Sequence, residues 1–308
     1  MKDRLVTLFG GGGFLGRYVA QELYRAGARI RVAQPRPRDA WFLKPLGGLG
    51  HTQFVAADVT RADTVARAVE GADLVVNLTG TFGPMQAVHV DGARNVAQAA
   101  ARAGVQALVH ISALGADAAS DSAYGRTKGE GEAALRDGFA GATILRPSVI
   151  FGREDAFLNR FAGMIAGAPV VPVLRPQVRF QPVYVIDVAQ AVVAALGDPE
   201  RHGGQTYSVG GPEVFSMIEL LRWIAAATCR RPHFVTLPDA AGALLAALPG
   251  SPITRDQWRM LQHDNVVPAG APGLDALGIV PTPVGTVAPD WLVRFCPQGR
   301  FGQFSRAA

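Results

Sequence analysis

Arg4-Leu5-Val6-Thr7-Leu8-Phe9-Gly10-Gly11-Gly12-Gly13-Phe14-Leu15-Gly16 is the stretch that decides the fold. The run to Phe9 is rich in β-formers and ends in glycines. From Phe14 onward, Leu15, Val19 and Leu23 recur at helical spacing. Gly10, Gly13 and Gly16 therefore fall at G-x-x-G-x-x-G between a strand and a helix. Such a turn lets backbone approach a pyrophosphate while the helix aims its free N–H groups and positive dipole end at the phosphates. A side chain at Gly10 or Gly13 would block that approach, and one at Gly16 would push the helix off the strand. Gly10, Gly12, Gly13, Phe14, Leu15 and Gly16 are thus expected to line a phosphate site. A purely structural glycine turn is the competing reading. The strand–turn–helix context argues against it.

Working outward, strands are expected at 4–9, 28–33, 54–57, 73–78, 107–112 and 143–146. They alternate with helices at 14–26, 60–70, 87–103 and 122–137. Asp73–Leu78 is almost wholly apolar, as a strand covered on both faces should be. This order predicts an α/β fold: a Rossmann doubly wound parallel sheet over 1–150. Beyond Pro147 the pattern loosens into helices at 157–166, 187–196 and 217–228 and strands at 182–185 and 206–209. Residues 151–308 are expected to form a smaller C-terminal α/β lobe over the sheet's carboxyl edge, with 181–197 returning to the first domain.

The 308 residues are 49% hydrophobic, ample for a large core. The net charge of +5 suits an anionic cofactor, an acidic partner or an anionic membrane. It is too scattered to indicate nucleic acid. Two cysteines, Cys229 and Cys296, make no disulfide framework. His89 and His110 have no partners at metal-ligand spacing, so no metal is expected. Apolar runs such as Ala243–Leu248 are too short to span a bilayer, and no signal or transit peptide is read at the N-terminus.

Cofactor choice turns on the end of the second strand. An acid there would bond a ribose 2′-hydroxyl, but the residues are Ala33-Gln34-Pro35-Arg36-Pro37-Arg38. Two arginines can pair with a 2′-phosphate, which predicts NADPH with Arg36 or Arg38 as its contact. Ordinary solvated charges are the alternative. Asp58, with Val59 after it, is placed to accept from an adenine amino group or else to cap the next helix. Leu78, Thr79 and Gly80 at the end of the fourth strand, and Pro147 at the end of the sixth, are expected beside the cofactor.

Tyr124-Gly125-Arg126-Thr127-Lys128 puts a phenol and an ammonium on one helix face. The ammonium can lower the phenol pKa and hold a ribose, and the phenol can then protonate a carbonyl that receives hydride. Ser112, twelve residues before Tyr124, could orient that carbonyl. Tyr124 and Lys128 could equally serve only to grip the cofactor. No G-x-S-x-G elbow is present, which disfavours hydrolase chemistry.

Together these motifs resemble the extended short-chain dehydrogenase/reductases. Further runs are Ile150-Phe151-Gly152-Arg153-Glu154-Asp155 with Phe157-Leu158-Asn159, Gln181 to Val188, Ile253 to Asp256, and Leu274 to Ile279 with Thr282-Pro283. These are similar to one branch, the NADPH-binding accessory subunit of respiratory complex I (NADH:ubiquinone oxidoreductase, alpha-subcomplex subunit nine family). The resemblance spans roughly Leu5 to Val284. It implies one tightly held NADPH and partners among the peripheral-arm subunits near the quinone site. It further implies a role in assembly without electron transfer. The location would be the cytoplasmic face of a bacterial inner membrane, or the matrix side of the mitochondrial one. The sequence departs from the family at Phe9, where threonine is usual, and around the prolines beside Arg36.

Two functions stay open at this point. One is the structural NADPH-binding subunit. The other is an active NADP-dependent reductase or epimerase, in one version linked to ubiquinone biosynthesis, using Ser112, Tyr124 and Lys128. The tail after Asp290 interleaves Arg294, Arg300 and Arg306 with Trp291, Phe295, Phe301 and Phe304. Basic and aromatic residues together suit a membrane interface or a docking surface on another subunit. A lobe core with a frayed tail is the alternative.

Overall fold

The computed structural model describes residues 1–251 and 253–299. The chain divides into two compact units. The first comprises Met1–Pro147, Val185–Val209 and Pro268–Val280, and the second Ser148–Tyr184, Gly210–Val267 and Pro281–Ala308.

The first unit is a seven-stranded, all-parallel sheet flanked by helices. Its strands are β1 (Leu5–Phe9), β2 (Arg29–Gln34), β3 (Thr52–Ala56), β4 (Leu74–Asn77), β5 (Ala107–Ile111), β6 (Thr143–Pro147) and the Thr206–Val209 strand. The spatial order is Thr206–Val209, β6, β5, β4, β1, β2, β3. β1, β4 and β5 are buried along their whole length, which is why they read as apolar runs without alternation. Between them run α1 (Phe14–Arg25), α2 (Ala62–Val69), α3 (Gly92–Arg102) and α4 (Ala123–Gly138). One core cluster joins Val75 and Leu108 of the sheet to Val65, Val96, Ala97 and Leu135 of the helices.

β1 pairs with β2 on one side and β4 on the other, so strand order reverses between β1 and β4. Their carboxyl ends therefore open a crevice at the switch point, where ligands of such sheets bind. Gly10 leaves one lip and Leu78-Thr79-Gly80 the other.

The helix expected over 87–103 is broken. Gln86–Asp91 is a π-turn, and regular α-helix resumes only at Gly92. Close packing accounts for the site of the break. A Cβ on Gly92 would lie 2.8 Å from Val59, and one on Gly131 of α4 would lie 2.2 Å from the His89 carbonyl oxygen. Gly131 lets α4 sit directly on the bulge, Gly92 lets Val59 approach it, and π-bulges concentrate at functional sites.

The second unit has its own core, with Phe151, Leu158, Ile165, Val171, Leu220, Ile224, Trp291 and Leu292. Its strands are short, two to four residues each, and pair two by two. The Phe-Gly-Arg-Glu-Asp run has a structural job here. Asp155 accepts from the N–H groups of Gly152 (3.0 Å) and Leu158 (2.6 Å), and Asn159 Nδ2 donates to the Arg153 and Asp155 carbonyls. The run caps the Leu158–Gly167 helix. The start of the C-terminal tail belongs to this core. Trp291 is buried in this core, Phe295 packs against it, and Arg294 donates to Asn159 Oδ1 at 2.7 Å. Arg300, Phe301, Phe304 and Arg306 lie outside the described residues.

Candidate functional site

The glycine turn is built by backbone. Gly10 adopts φ +79°, which a side chain would strain. Its N–H donates to the Ala33 carbonyl, and Gly13 N–H donates to the Gly10 carbonyl. A Cβ on Gly16 would stand 2.5 Å from the Gly11 carbonyl oxygen, so only glycine lets α1 start here. The N-cap, Gly13, supplies no side-chain hydrogen bond, and the first turn of α1 carries no acid. Its N–H groups and dipole are left for an anion. Phe14 and Leu15 open the helix, with Phe14 edge-on to Tyr18.

Around this turn lies a cavity of about 340 Å³ lined by Gly10, Gly13, Ala33, Gln34, Pro35, Ala57, Asp58, Val59, Leu78, Thr79, Gly80, Thr81 and Val88. The structure thus brings the turn, Asp58, Val59 and the β4 end together. Asp58 Oδ1 accepts from both the N–H and the hydroxyl of Thr60. It does not cap α2, whose N-cap position is Arg61.

Gln34 is a residue that reading for an acid overlooked. Its Oε1 accepts the Gly12 N–H at 2.9 Å and its Nε2 donates to the Arg36 carbonyl at 2.7 Å. It stands where an NAD-selecting carboxylate would be. The two arginines do not line the cavity. Arg36 is exposed and paired with Asp39 at 3.0 Å. Arg38 lies over the Trp41 ring at 5.6 Å.

Ser112, Tyr124 and Lys128 gather at the ends of β4 and β5. Ser122 caps α4 by accepting from Gly125 N–H, which sets the helix phase. Lys128 is fully buried, and its Nζ donates to the Ile111 carbonyl at 3.1 Å and the Thr79 carbonyl at 3.5 Å. Gly80 lies beside it, a Cβ there standing in ordinary contact at 3.6 Å from Nζ. Burial lowers the Lys128 pKa to about 8 against the opposing pull of Glu132. Tyr124 sits one turn earlier, with Lys128 Nζ 6.0 Å from its ring centroid, and burial raises its phenol to about 12. Ser112 Oγ is buried with no protein partner among the described residues. Its N–H donates to Leu145, and Leu114 N–H to Pro147, carrying the β5–β6 pairing past the strand ends.

Two histidines lie behind these groups. His89, on the π-turn, accepts the Thr81 N–H at Nε2 (3.0 Å) and meets Thr127 Oγ1 through Nδ1 (2.9 Å). Burial, then the Lys128 charge, lowers its pKa to about 4. His110, opposite Asn77 in the β4–β5 register, is buried with both ring nitrogens unpartnered among the described residues. Burial and Lys128 hold its pKa well below the ordinary value.

A glycine cradle at a switch point, followed by serine, tyrosine and lysine on the next strands and helix, defines an NAD(P)-binding protein of the extended dehydrogenase type. The chain belongs to the NAD dependent epimerase/dehydratase family, which it matches over residues 6–210. Within that class it belongs with the complex I subunits. It is 35% identical over 295 residues to the mitochondrial NADH dehydrogenase [ubiquinone] 1 alpha subcomplex subunit 9 of Mus musculus, covering 91% of this chain and 77% of that one. It is also 30% identical over 282 residues to a ceramide reductase of Caulobacter vibrioides, covering 87% of each. An NADPH-dependent quinone oxidoreductase from Escherichia coli, solved with NADPH, shares the fold. Its TM-score is 0.75 at 18% identity, over 93% of this chain and 99% of that one.

Proposed function

We propose that this chain is an NADPH-binding accessory subunit of NADH:ubiquinone oxidoreductase, supporting assembly and stability near the quinone site without joining electron transfer. The observation that carries this reading is the likeness to the mouse subunit along 91% of the chain. Its partners would be the other subunits of the peripheral arm, with the second unit available to a membrane surface. No helix among the described residues is long and apolar enough to cross a membrane. The location would be the cytoplasmic face of a bacterial inner membrane or the matrix side of a mitochondrial one.

The residues suit NADPH. The Gly10–Gly16 cradle and the α1 N-terminus would hold the pyrophosphate, since a Cβ on Gly16 would close the turn. A neutral Gln34 in place of an acid spares a 2′-phosphate the repulsion it would otherwise meet, and Arg36 or Arg38 could swing to pair with it. Asp58 and Val59 would line the adenine side, and Thr79, Gly80 and Pro147 the nicotinamide side. Lys128 would reach the ribose. When bound, the nicotinamide supplies hydride chemistry. A general acid works best with its pKa near the working pH. Burial raises the Tyr124 phenol to about 12 and so keeps it protonated, able to donate a hydrogen bond to a bound cofactor.

A second reading, an active NADP-dependent reductase, is favoured by the ceramide reductase likeness and by the buried Ser112 hydroxyl awaiting a polar partner. Deleting the gene and resolving complex I on native gels separates the two. Loss or destabilisation of the complex supports the accessory role, and an intact complex with unchanged quinone reduction refutes it.

A further inference from the structure

Beside Tyr124 the chain covers its own reactive face. Phe82 lies parallel to the Tyr124 ring, with centroids 4.7 Å apart and planes 20° apart. Phe82 is itself 56% exposed, so this large apolar side chain stays at the surface to cover the tyrosine. The segment carrying it is tied down at each step. Thr81 N–H donates to His89 Nε2, Gly83 N–H donates to Thr81 Oγ1, and Met85 N–H donates to the Gly83 carbonyl.

His89 is the anchor of this arrangement. Thr127 Oγ1 donates to the Ala123 carbonyl, so toward His89 it accepts, and the ring carries its proton on Nδ1. Nε2 is then a lone-pair acceptor, as the Thr81 N–H requires. The same ring meets Tyr124 edge-on at 5.4 Å. One imidazole therefore fixes both the capping loop and the tyrosine beneath it. The π-turn and Gly131 place His89 there, since a regular helix over 86–91 would rotate the ring out of register with Thr81.

We propose that Phe82 is a built-in cap on Tyr124, positioned by His89, that excludes hydride acceptors from the tyrosine face. This rests on the reading that a nicotinamide cofactor sits against Tyr124 and Lys128. It deepens that reading by assigning residues that keep such a cofactor from turning over. Phe82 is the residue that determines access, and His89 is a positioning residue acting through Thr81.

Nitration by tetranitromethane, mapped to individual tyrosines by peptide mass, tests occlusion on the cofactor-stripped full chain. Uncapping that carries the Tyr124 phenol even halfway from about 12 to the ordinary 10 raises its phenolate fraction about tenfold. Phe82→Ala should therefore speed Tyr124 nitration about tenfold or more, with Tyr24 unchanged as the internal reference. His89→Phe, which loses the Thr81 bond, should raise it too, and His89→Gln, which keeps an acceptor, should restore protection. Unchanged nitration in Phe82→Ala overturns the cap, and unchanged nitration in His89→Phe overturns the role of His89. With NADPH loaded, Phe82→Ala should oxidise NADPH with menadione faster than wild type, and Phe82→Ala/Tyr124→Phe should not. Faster nitration with no faster oxidation overturns acceptor exclusion. Wild-type protein that fails to bind NADPH refutes the functional reading alone, because the nitration result needs no cofactor.

Discussion

Replacing Gly16 with alanine tests the phosphate cradle at its tightest point. The new Cβ would stand 2.5 Å from the Gly11 carbonyl oxygen, 2.6 Å from its carbon and 2.7 Å from the Gly10 carbonyl oxygen. Non-bonded carbon contacts are comfortable near about 3.5 Å, so relief requires the turn and α1 to part by nearly that shortfall. All three neighbours are backbone, and no side chain can rotate away. Overpacking of this kind costs about 1–3 kcal/mol. Melting of the protein without added cofactor should fall by roughly 3–10 °C. The same displacement pulls the α1 N–H groups from the pyrophosphate, and losing about 2 kcal/mol of charged hydrogen bonding weakens NADPH roughly 30-fold. Differential scanning fluorimetry and NADPH fluorescence titration read the two effects. Gly12→Ala is the comparison. Its Cβ meets only the Gln34 carboxamide, which can swing aside at the cost of its bonds to the Gly12 N–H and the Arg36 carbonyl, so melting should fall less than in Gly16→Ala. Unchanged melting and unchanged affinity in Gly16→Ala would mean that the turn does not hold α1 this tightly.

Further expectations concern the supports of the site. Glu132 is buried and holds Arg146 through two bonds of 2.8 and 2.6 Å, so Glu132→Ala strands a half-buried guanidinium and should cost about 3 kcal/mol in urea unfolding. Asp155→Ala removes the cap on the Leu158–Gly167 helix and should cost about 2 kcal/mol by the same assay. Gly131→Ala drives a methyl group into the His89 carbonyl oxygen and should both lower melting and speed Tyr124 nitration. His89 has a folded pKa of about 4 against 6.5 unfolded. Its contribution to stability is therefore complete above pH 6.5 and is lost as pH falls toward 4. Unfolding measured across that window should steepen with acid in wild type and flatten in His89→Phe.

Much of the first unit was legible because its strands are covered on both faces and its turns are punctuated by glycine. The stretch through Gly16 announces strand, turn and helix in thirteen residues. Gln34 was passed over because the usual test at that position is for an acid, and a neutral side chain bridging two backbone groups leaves no pattern. The π-turn at 86–91 is invisible to a 3.6-residue period, though Gly131 inside α4 is a clue, disfavoured there unless something packs close. In the second unit, strands such as Ile150–Phe151 and Arg179–Phe180 are too short to show alternation. The Phe-Gly-Arg-Glu-Asp run marked the family, while its capping role appears only when Asp155 is seen beneath Leu158. Phe82 carried no signal at all, because stacking on Tyr124 joins residues forty-two positions apart.

Purification of complex I through a tag on this chain, with quantification of bound NADP(H), decides whether the chain is a cofactor-bearing part of the complex. Co-migration with the intact complex on native gels is expected, with about one NADPH retained per complex through salt washing. Recovery of the chain apart from the complex, turning over NADPH with a carbonyl acceptor and losing that activity in Tyr124→Phe, would contradict it.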